Sequence, residues 1–223
     1  MEVLIMSFAD GMAAINLEMP SRVPRTEYSV ESHWALVKTV TGIQVDERSP
    51  KEIQNQASKA FRKAWNFDFI WDIHSPQAFG DLRTRMGHAK YASGGVDYDD
   101  DISKLFDDPE TALDFDPWQL YGKKSKTQLI KEFEEHYAAS CKRNPDAVNM
   151  TGIYITCISG LIEIFGWQTL LEACGIDRTA FGEMTNRYVS WIQQYFDALA
   201  ETNVPVVMIH DDIVWTSGAI FHP

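Results

Sequence analysis

The segment FDFIWDI, residues 67–73, decides the predicted fold. Its apolar side chains are nearly continuous, which is typical of a β-strand that is buried on both faces of a parallel sheet. The preceding residues, from Ser49 to Asn66, carry apolar side chains at helical spacing. A helix followed by a fully buried strand is a repeating unit of α/β folds, so this stretch predicts a parallel sheet.

Three further segments carry strand signals. They are residues 25–29 (RTEYS), 148–157 (VNMTGIYITC) and 204–210 (VPVVMIH). Helical patterns separate the later strands, and this alternation predicts parallel strands with right-handed crossovers. The strand pattern does not separate a closed barrel from an open doubly wound sheet.

Two other stretches complete the predicted organisation. Residues 75–122 hold glycines, prolines and an acidic run, and they predict a long irregular excursion with short helices. Nearer the C-terminus, apolar side chains recur at helical spacing and are predicted to belong to the core: Phe181, Met184, Tyr188, Trp191, Ile192, Tyr195 and Leu199.

The composition argues against several classes of protein. The chain has 223 residues, 45% hydrophobic side chains and a formal net charge of −12, so nucleic acid and anionic membranes are poor partners. No apolar run approaches the roughly 20 residues of a spanning helix, and the N-terminal stretch lacks the basic start of a signal peptide. The three cysteines are too widely spaced for a metal knuckle or a disulfide framework. A cytoplasmic protein is therefore expected.

Five segments together resemble one known superfamily. They are residues 14–24 (AINLEMPSRVP), 69–73 (FIWDI), 152–154 (GIY), 210–212 (HDD) and 217–223 (SGAIFHP). In this order they resemble the uroporphyrinogen decarboxylase superfamily. The resemblance implies a (β/α)₈ barrel, of which residues 1–223 would form the N-terminal half, a single domain with about four of the eight strands.

The resemblance also implies a choice between two chemistries. One branch of the superfamily decarboxylates uroporphyrinogen, and another moves methyl groups to or from cobamides that corrinoid proteins carry. The decarboxylase branch has a pair of arginines after its first strand for the substrate carboxylates. Here that stretch is residues 25–33, which lacks the pair and contains Glu27 and Glu31. A methyltransferase acting on a small molecule with a corrinoid protein is therefore expected. The alternatives are a uroporphyrinogen decarboxylase and a truncated, non-catalytic barrel fragment.

Half a barrel has consequences of its own. Four strands cannot close a barrel of eight, so the chain alone is expected to be inactive. The fourth strand would leave an apolar edge uncovered, and we expect a homodimer to bury it.

Barrel enzymes place their active sites at the carboxyl ends of the strands, and this position nominates the catalytic candidates. Asp72 ends the second predicted strand, where an apolar surrounding would raise its pKa and let it hold or donate a proton. Asp211 and Asp212 end the fourth strand, and His210 beside them is expected to bind substrate. The alternative is a structural role for these residues, in which they form a turn between strand and loop and a carboxylate caps the next element.

The remaining candidates are expected to contact substrate. Glu27 and Tyr28 lie on the first predicted strand, His74 follows the second, and Glu163 lies near the start of a predicted helix. In the methyltransferase branch zinc is bound by a His-x-Cys pattern, which does not occur in these residues. No zinc ligand is therefore predicted in this chain, and any zinc would have to come from a further segment.

Overall fold

The structure is a computed structural model. It describes residues 7–27, 30–74, 78–84, 90–91, 97–98, 105–153, 156–209, 211, 214–215 and 218–219. The chain divides into two compact units. Unit 1 comprises Met1–Asp72 and Glu135–Thr151, and unit 2 comprises Ile73–Glu134 and Gly152–Pro223.

Helices dominate the described part of the chain. The α-helices are α1 Phe8–Ile15, α2 Trp34–Thr41, α3 Lys51–Ala64, α4 Pro109–Leu113, α5 Pro117–Leu120, α6 Lys126–Arg143, α7 Cys157–Ile176 and α8 Arg178–Leu199, with a short 3-10 helix at Val30–Ser32. The strands are β1 Phe69–Trp71, β2 Lys90–Tyr91, β3 Asp97–Tyr98, β4 Val148–Ile153, β5 Val207–Ile209, β6 Val214–Trp215 and β7 Gly218–Ala219. Within the described residues, no helix combines the length and the apolar character that a membrane span requires.

The core of unit 1 forms around helix α3. Ala57 and Phe61 are four residues apart, lie on one face of the helix, and are fully buried. They belong to one cluster with Val37 of α2, with Phe67, which precedes β1, and with Ile70, which lies within β1. Burial of this face against the strand explains why the polar α3 sequence folds as a helix at this place.

One parallel sheet has the strand order β1-β4-β5. β1 pairs with β4 in parallel, with Phe69 opposite Val148 and Trp71 opposite Met150. All six residues of β4 are buried, as expected for a central strand. These three strands lie within the segments in which strands were predicted, although each is shorter than its segment. β2 with β3 and β6 with β7 form separate two-stranded antiparallel ribbons.

The predicted (β/α)₈ barrel, whole or partial, is wrong. The described chain is mixed helical, with three parallel strands in its main sheet. An alternating helix and strand pattern predicts parallel pairing, but it fixes neither the number of strands nor closure. Because the expected inactivity of the chain rested on incomplete barrel closure, that ground for it no longer holds.

The first predicted strand, at residues 25–29, is absent over its described part, residues 25–27. The carboxylate of Asp68, which is fully buried, occupies a backbone donor of this segment. It accepts hydrogen bonds from the backbone amides of Ser7, at 2.9 Å, and Arg25, at 2.8 Å. It also accepts two from the Arg22 guanidinium, at 2.5 and 2.7 Å. The Arg25 amide is therefore bound to a side chain instead of to a neighbouring strand.

Helix α8 provides much of the core of unit 2. Its N-cap residue Asp177 accepts hydrogen bonds from the amides of Thr179 and Ala180, at 2.9 and 3.0 Å. The predicted apolar stripe is confirmed as core, since its members from Met184 to Leu199 are buried and Phe181 packs against them. The aromatic rings of this face contact one another, with Trp191 at 5.5 Å from Tyr195 between centroids.

Helix α7 bends sharply at Gly166, whose φ of 71° and ψ of 164° are not helical. A bend there interrupts the hydrogen bonds that the carbonyls of Ile162 and Glu163 would accept from residues four positions later. Thr84 replaces them, because its amide donates to the Glu163 carbonyl at 2.7 Å and its hydroxyl donates to the same oxygen at 2.8 Å. The Thr84 hydroxyl also lies 3.5 Å from the Ile162 carbonyl.

Candidate functional site

In unit 1, Asp72 directly follows β1 and lies among polar side chains of helix α6. His136, Ser140 and Arg143 are spaced four and three residues apart, so they share one face of this helix. The Ser140 hydroxyl and the Arg143 guanidinium donate hydrogen bonds to the Asp72 carboxylate. His136 Nε2 lies 3.2 Å from the same carboxylate and 2.8 Å from the Asp72 carbonyl oxygen.

The pKa of Asp72 is lowered, whereas the sequence predicted that it is raised. Burial alone would raise this pKa, but the hydrogen bonds from Ser140 and Arg143 and the charges of His136 and Arg143 outweigh burial. Asp72 is therefore ionised at neutral pH, and it accepts hydrogen bonds instead of donating a proton. A catalytic role for Asp72 stays a prediction.

Ser140, His136 and Asp72 are the three residue types of a catalytic triad, but they are not arranged as one. In a triad the serine hydroxyl donates its proton to the histidine, and the aspartate holds the other side of the ring. Here the Ser140 hydroxyl donates to Asp72 itself. Ser140 is also fully buried and lies 3.1 Å from the side-chain oxygen of Asn149. The cluster therefore anchors β1 to α6 and does not activate a nucleophile.

In unit 2, Asp211 follows β5 and caps helix α7, which follows β4. Its Oδ1 accepts hydrogen bonds from the amides of Ile158, at 3.0 Å, and Ser159, at 3.1 Å, and from the Ser159 hydroxyl at 3.3 Å. Its Oδ2 has a longer contact of 3.2 Å with the Ile158 amide. Asp211 is exposed. The helix N-terminus favours a negative charge at this place, so the carboxylate is held at the carboxyl ends of β4 and β5.

Cys157 is the first residue of α7 and lies beside Asp211. Burial and the nearby charge of Asp211 raise the pKa of its thiol. Cys157 is therefore a protonated thiol at neutral pH and not a ready nucleophile. The described residues contain no group of three or more His, Cys, Asp or Glu side chains that fits a metal ion. This part of the chain therefore does not fit the zinc of the methyltransferase branch.

Tyr188 of α8 contacts the start of α7. Its hydroxyl donates a 3.0 Å hydrogen bond to the Thr156 carbonyl, and its side chain is fully buried. A Cβ atom at position 160 would lie 1.7 Å from this hydroxyl, so the close approach requires Gly160. Burial and nearby negative charges raise the pKa of Tyr188 well above its ordinary value. The neutral hydroxyl therefore serves as a structural donor.

Glu163 and His74 have structural contacts in unit 2. Glu163 is 1% exposed and pairs with Arg83. It lies within α7 just before the bend, and not in the first turn of a helix as predicted. His74 Nε2 lies 3.9 Å from Glu132 Oε2, and its ring packs edge-on against Phe133 at 5.6 Å. The structure gives neither residue a distinctive catalytic geometry.

The first-strand candidates are placed only in part. Glu27 is exposed and lines a cavity of unit 1. Tyr28, His210 and Asp212 lie outside the described residues. Two nearby arginines are engaged within the protein, because Arg22 binds Asp68 and the Arg25 guanidinium donates to the Trp65 carbonyl at 3.2 Å.

Comparisons with known proteins leave the candidates to be judged on this geometry alone. The chain matches no protein-family profile, no curated protein and no solved structure. The resemblance to the uroporphyrinogen decarboxylase superfamily therefore stays a prediction.

Sequence reasoning missed the partners of Asp72 and the role of Asp68. The spacing of His136, Ser140 and Arg143 could have indicated these partners. Three polar residues on one face of a helix that also carries apolar residues predict a polar contact for that face. Asp68 carried a weaker signal, as a charged residue within a nearly continuous apolar strand. Such a residue is buried only when it is paired.

Proposed function

We propose that this chain is a methyltransferase that acts with a cobamide carried by a corrinoid protein, at the carboxyl ends of β4 and β5. The position of Asp211 supports the site, because an exposed carboxylate at the ends of adjacent parallel strands lies where α/β proteins bind ligands. The reaction class comes from the resemblance of the five quoted segments to that superfamily.

The proposed role of Asp211 is to receive a proton. Methyl transfer to a thiol needs the thiolate, so the thiol must lose its proton as its sulfur attacks. Asp211 Oδ2 has the weaker internal contact of the two carboxylate oxygens and belongs to an exposed residue. It is the oxygen that an incoming thiol would meet with least competition from the protein.

The step balances without another reactant. The sulfur of the thiol forms a bond to the methyl carbon of methylcob(III)alamin, and the cobalt–carbon bond breaks. Its electron pair stays on cobalt as cob(I)alamin, and the thiol proton moves to Asp211. The cobamide enters as a substrate, and no residue of this chain is assigned as its ligand.

Decarboxylation of uroporphyrinogen is the second candidate, and the engagement of the arginines disfavours it. A substrate with many carboxylates needs available guanidinium groups. Near the first predicted strand, Arg22 binds the buried Asp68 and Arg25 binds the Trp65 carbonyl. Releasing Arg22 would leave the Asp68 carboxylate buried without its charge partner, at a cost of about 3–5 kcal/mol.

Two parallel assays of the purified chain separate these candidates. The first assay is run in the absence of oxygen. It supplies methylcob(III)alamin and homocysteine and follows the absorbance of cob(I)alamin. The second supplies uroporphyrinogen and follows coproporphyrinogen. We expect thiol-dependent release of cob(I)alamin and no coproporphyrinogen. Coproporphyrinogen formation would support the decarboxylase, and absence of both products would contradict an enzyme of either class acting on these substrates.

The cellular setting and oligomeric state are part of the same proposal. All three cysteines, Cys141, Cys157 and Cys174, are free thiols. Free thiols suit a reducing compartment, so we place the activity in the cytoplasm. We also retain a homodimer as a prediction, to be checked by sedimentation velocity.

A further inference from the structure

Unit 1 contains a cavity of about 260 Å³ beside β1. Its lining combines charged, hydroxyl and aromatic groups: Glu27, Glu31, Ser32, Arg62, Phe67, Phe69, Ile70 and Trp71. The volume lies just below the range of about 300–1,000 Å³ that drug-sized ligands occupy. The cavity therefore suits a ligand of a few heavy atoms.

The charged groups of the lining are two carboxylates and one guanidinium. Glu27 and Glu31 outnumber Arg62, so the formal charge of the wall is negative. Glu31 Oε2 is withdrawn from solvent and has no hydrogen-bond partner among the described residues. A carboxylate oxygen that is withdrawn from water and lacks a hydrogen bond favours a cation in its neighbourhood, because the surrounding protein screens its charge less than water does.

The aromatic part of the lining favours the same kind of ligand. The lining includes the half-buried aromatic residues Phe69 and Trp71, and the buried Phe67 and Ile70 add apolar surface. Aromatic faces attract cations through their negative π-electron clouds, and they also cover the carbon atoms that an organic cation carries. An inorganic cation would use the carboxylates but gain nothing from the apolar surface.

We propose that this cavity binds a small organic ammonium ion. The carboxylates attract its charge, and the aromatic part of the lining packs against its carbon chain. The site lies within unit 1 and does not depend on the methyl-transfer proposal, which concerns Asp211 in unit 2.

A matched pair of ligands tests the requirement for charge on the unmodified protein. Butan-1-aminium and butan-1-ol have nearly the same size and shape but differ in charge. Isothermal titration calorimetry of the full chain at neutral pH is expected to show at least about tenfold tighter binding of the ammonium ion. Equal affinities, or no detectable binding of the ammonium ion at millimolar concentrations, would overturn the proposal.

A matched pair of variants tests the location. Glu31→Gln removes one charge from the lining and keeps the size of the side chain. It is expected to weaken butan-1-aminium binding by about tenfold. Glu47→Gln removes an exposed carboxylate outside the lining and is expected to leave binding unchanged. Equal weakening in both variants would show an effect of net charge and would contradict the site. If Glu31→Gln does not fold, the ligand pair on the unmodified protein decides alone.

Discussion

At the scale of single residues, Asp72 shows how a strand-end carboxylate is held ionised. The side chains of Ser140, Arg143 and His136 surround it, and its pKa lies below the ordinary value. Folding therefore favours the ionised form of Asp72 over its protonated form. The stability that this preference contributes is present above the unfolded pKa of about 3.9. It is lost as the pH falls through the folded pKa.

Replacing Asp72 tests this electrostatic role. Asp72→Asn keeps the size of the side chain but removes the charge that Arg143 and His136 face. We expect the free energy of unfolding at pH 7 to fall by about 1–3 kcal/mol, measured by urea denaturation. We also expect the variant to lose less stability than the wild type between pH 5 and pH 3, because it lacks the titrating carboxylate (the pH window follows from an unfolded pKa of about 3.9).

The control is an exposed carboxylate in the same unit. Asp146 lies in a turn just before β4 and is exposed. Asp146→Asn is expected to leave both the stability at pH 7 and its pH dependence close to the wild type, within about 0.5 kcal/mol. An unchanged stability and pH dependence in Asp72→Asn would show that the contacts of Asp72 contribute nothing to folding.

The position of Asp72 could be predicted from the sequence, but its protonation state could not. The apolar segment before it marks the strand end, and this information is local. The groups that lower its pKa lie 64, 68 and 71 residues further along the chain. The neighbouring sequence predicts that Asp72 is buried, and burial raises the pKa. It does not show the distant partners, which lower the pKa.

At the scale of single elements, the bend of α7 depends on Gly166. Its positive φ lies in a region that residues with a Cβ atom adopt only with strain. We expect Gly166→Ala to lower the free energy of unfolding by about 1–3 kcal/mol, because alanine must adopt this conformation or straighten the helix. Urea denaturation followed by circular dichroism measures the change.

Gly175 provides a matched control in the same helix. It is exposed, it lies near the end of α7, and a Cβ atom there would meet nothing within 4 Å. Gly175→Ala is expected to be neutral or to stabilise by up to about 1 kcal/mol, because alanine favours helix more than glycine does. If Gly166→Ala were as stable as Gly175→Ala, the bend would not depend on glycine.

The helices and strands differ in how well the sequence predicts them. The α8 stripe rests on a spacing rule that acts within a few residues, and it is confirmed. The absent strand at residues 25–27 depends on the Arg25 amide, which binds the side chain of Asp68, 43 residues away. Strand propensity in a short polar segment cannot anticipate a competing side-chain acceptor.

At the scale of the whole molecule, the parallel direction of the strands could be predicted, but the barrel was wrong. Helices between strands require crossover connections, and these favour parallel pairing. The number of strands in the sheet depends on how many segments pair with a neighbouring strand. The alternation of helical and strand patterns along the sequence does not predict that number. The two compact units each have their own apolar cluster, one around Phe61 and one around Trp191.

The central claim, that Asp211 serves methyl transfer at the ends of β4 and β5, is tested most directly by one pair of rates. These are the rates of homocysteine-dependent cob(I)alamin release from methylcob(III)alamin by Asp211→Asn and Asp177→Asn, each relative to the wild type. Both carboxylates accept hydrogen bonds from amides at the start of a helix, Asp177 as the N-cap residue of α8 and Asp211 from the chain after β5. The oxygen of an asparagine side chain can keep the Oδ1 hydrogen bonds of either residue, and Asp211→Asn additionally removes the 3.2 Å contact between Oδ2 and the Ile158 amide.

We predict that Asp211→Asn lowers this rate by about a hundredfold or more, as expected for the loss of a proton acceptor. We predict that Asp177→Asn retains the wild-type rate. Equal rates in the two variants, or a wild-type protein that releases no cob(I)alamin, would contradict the claim.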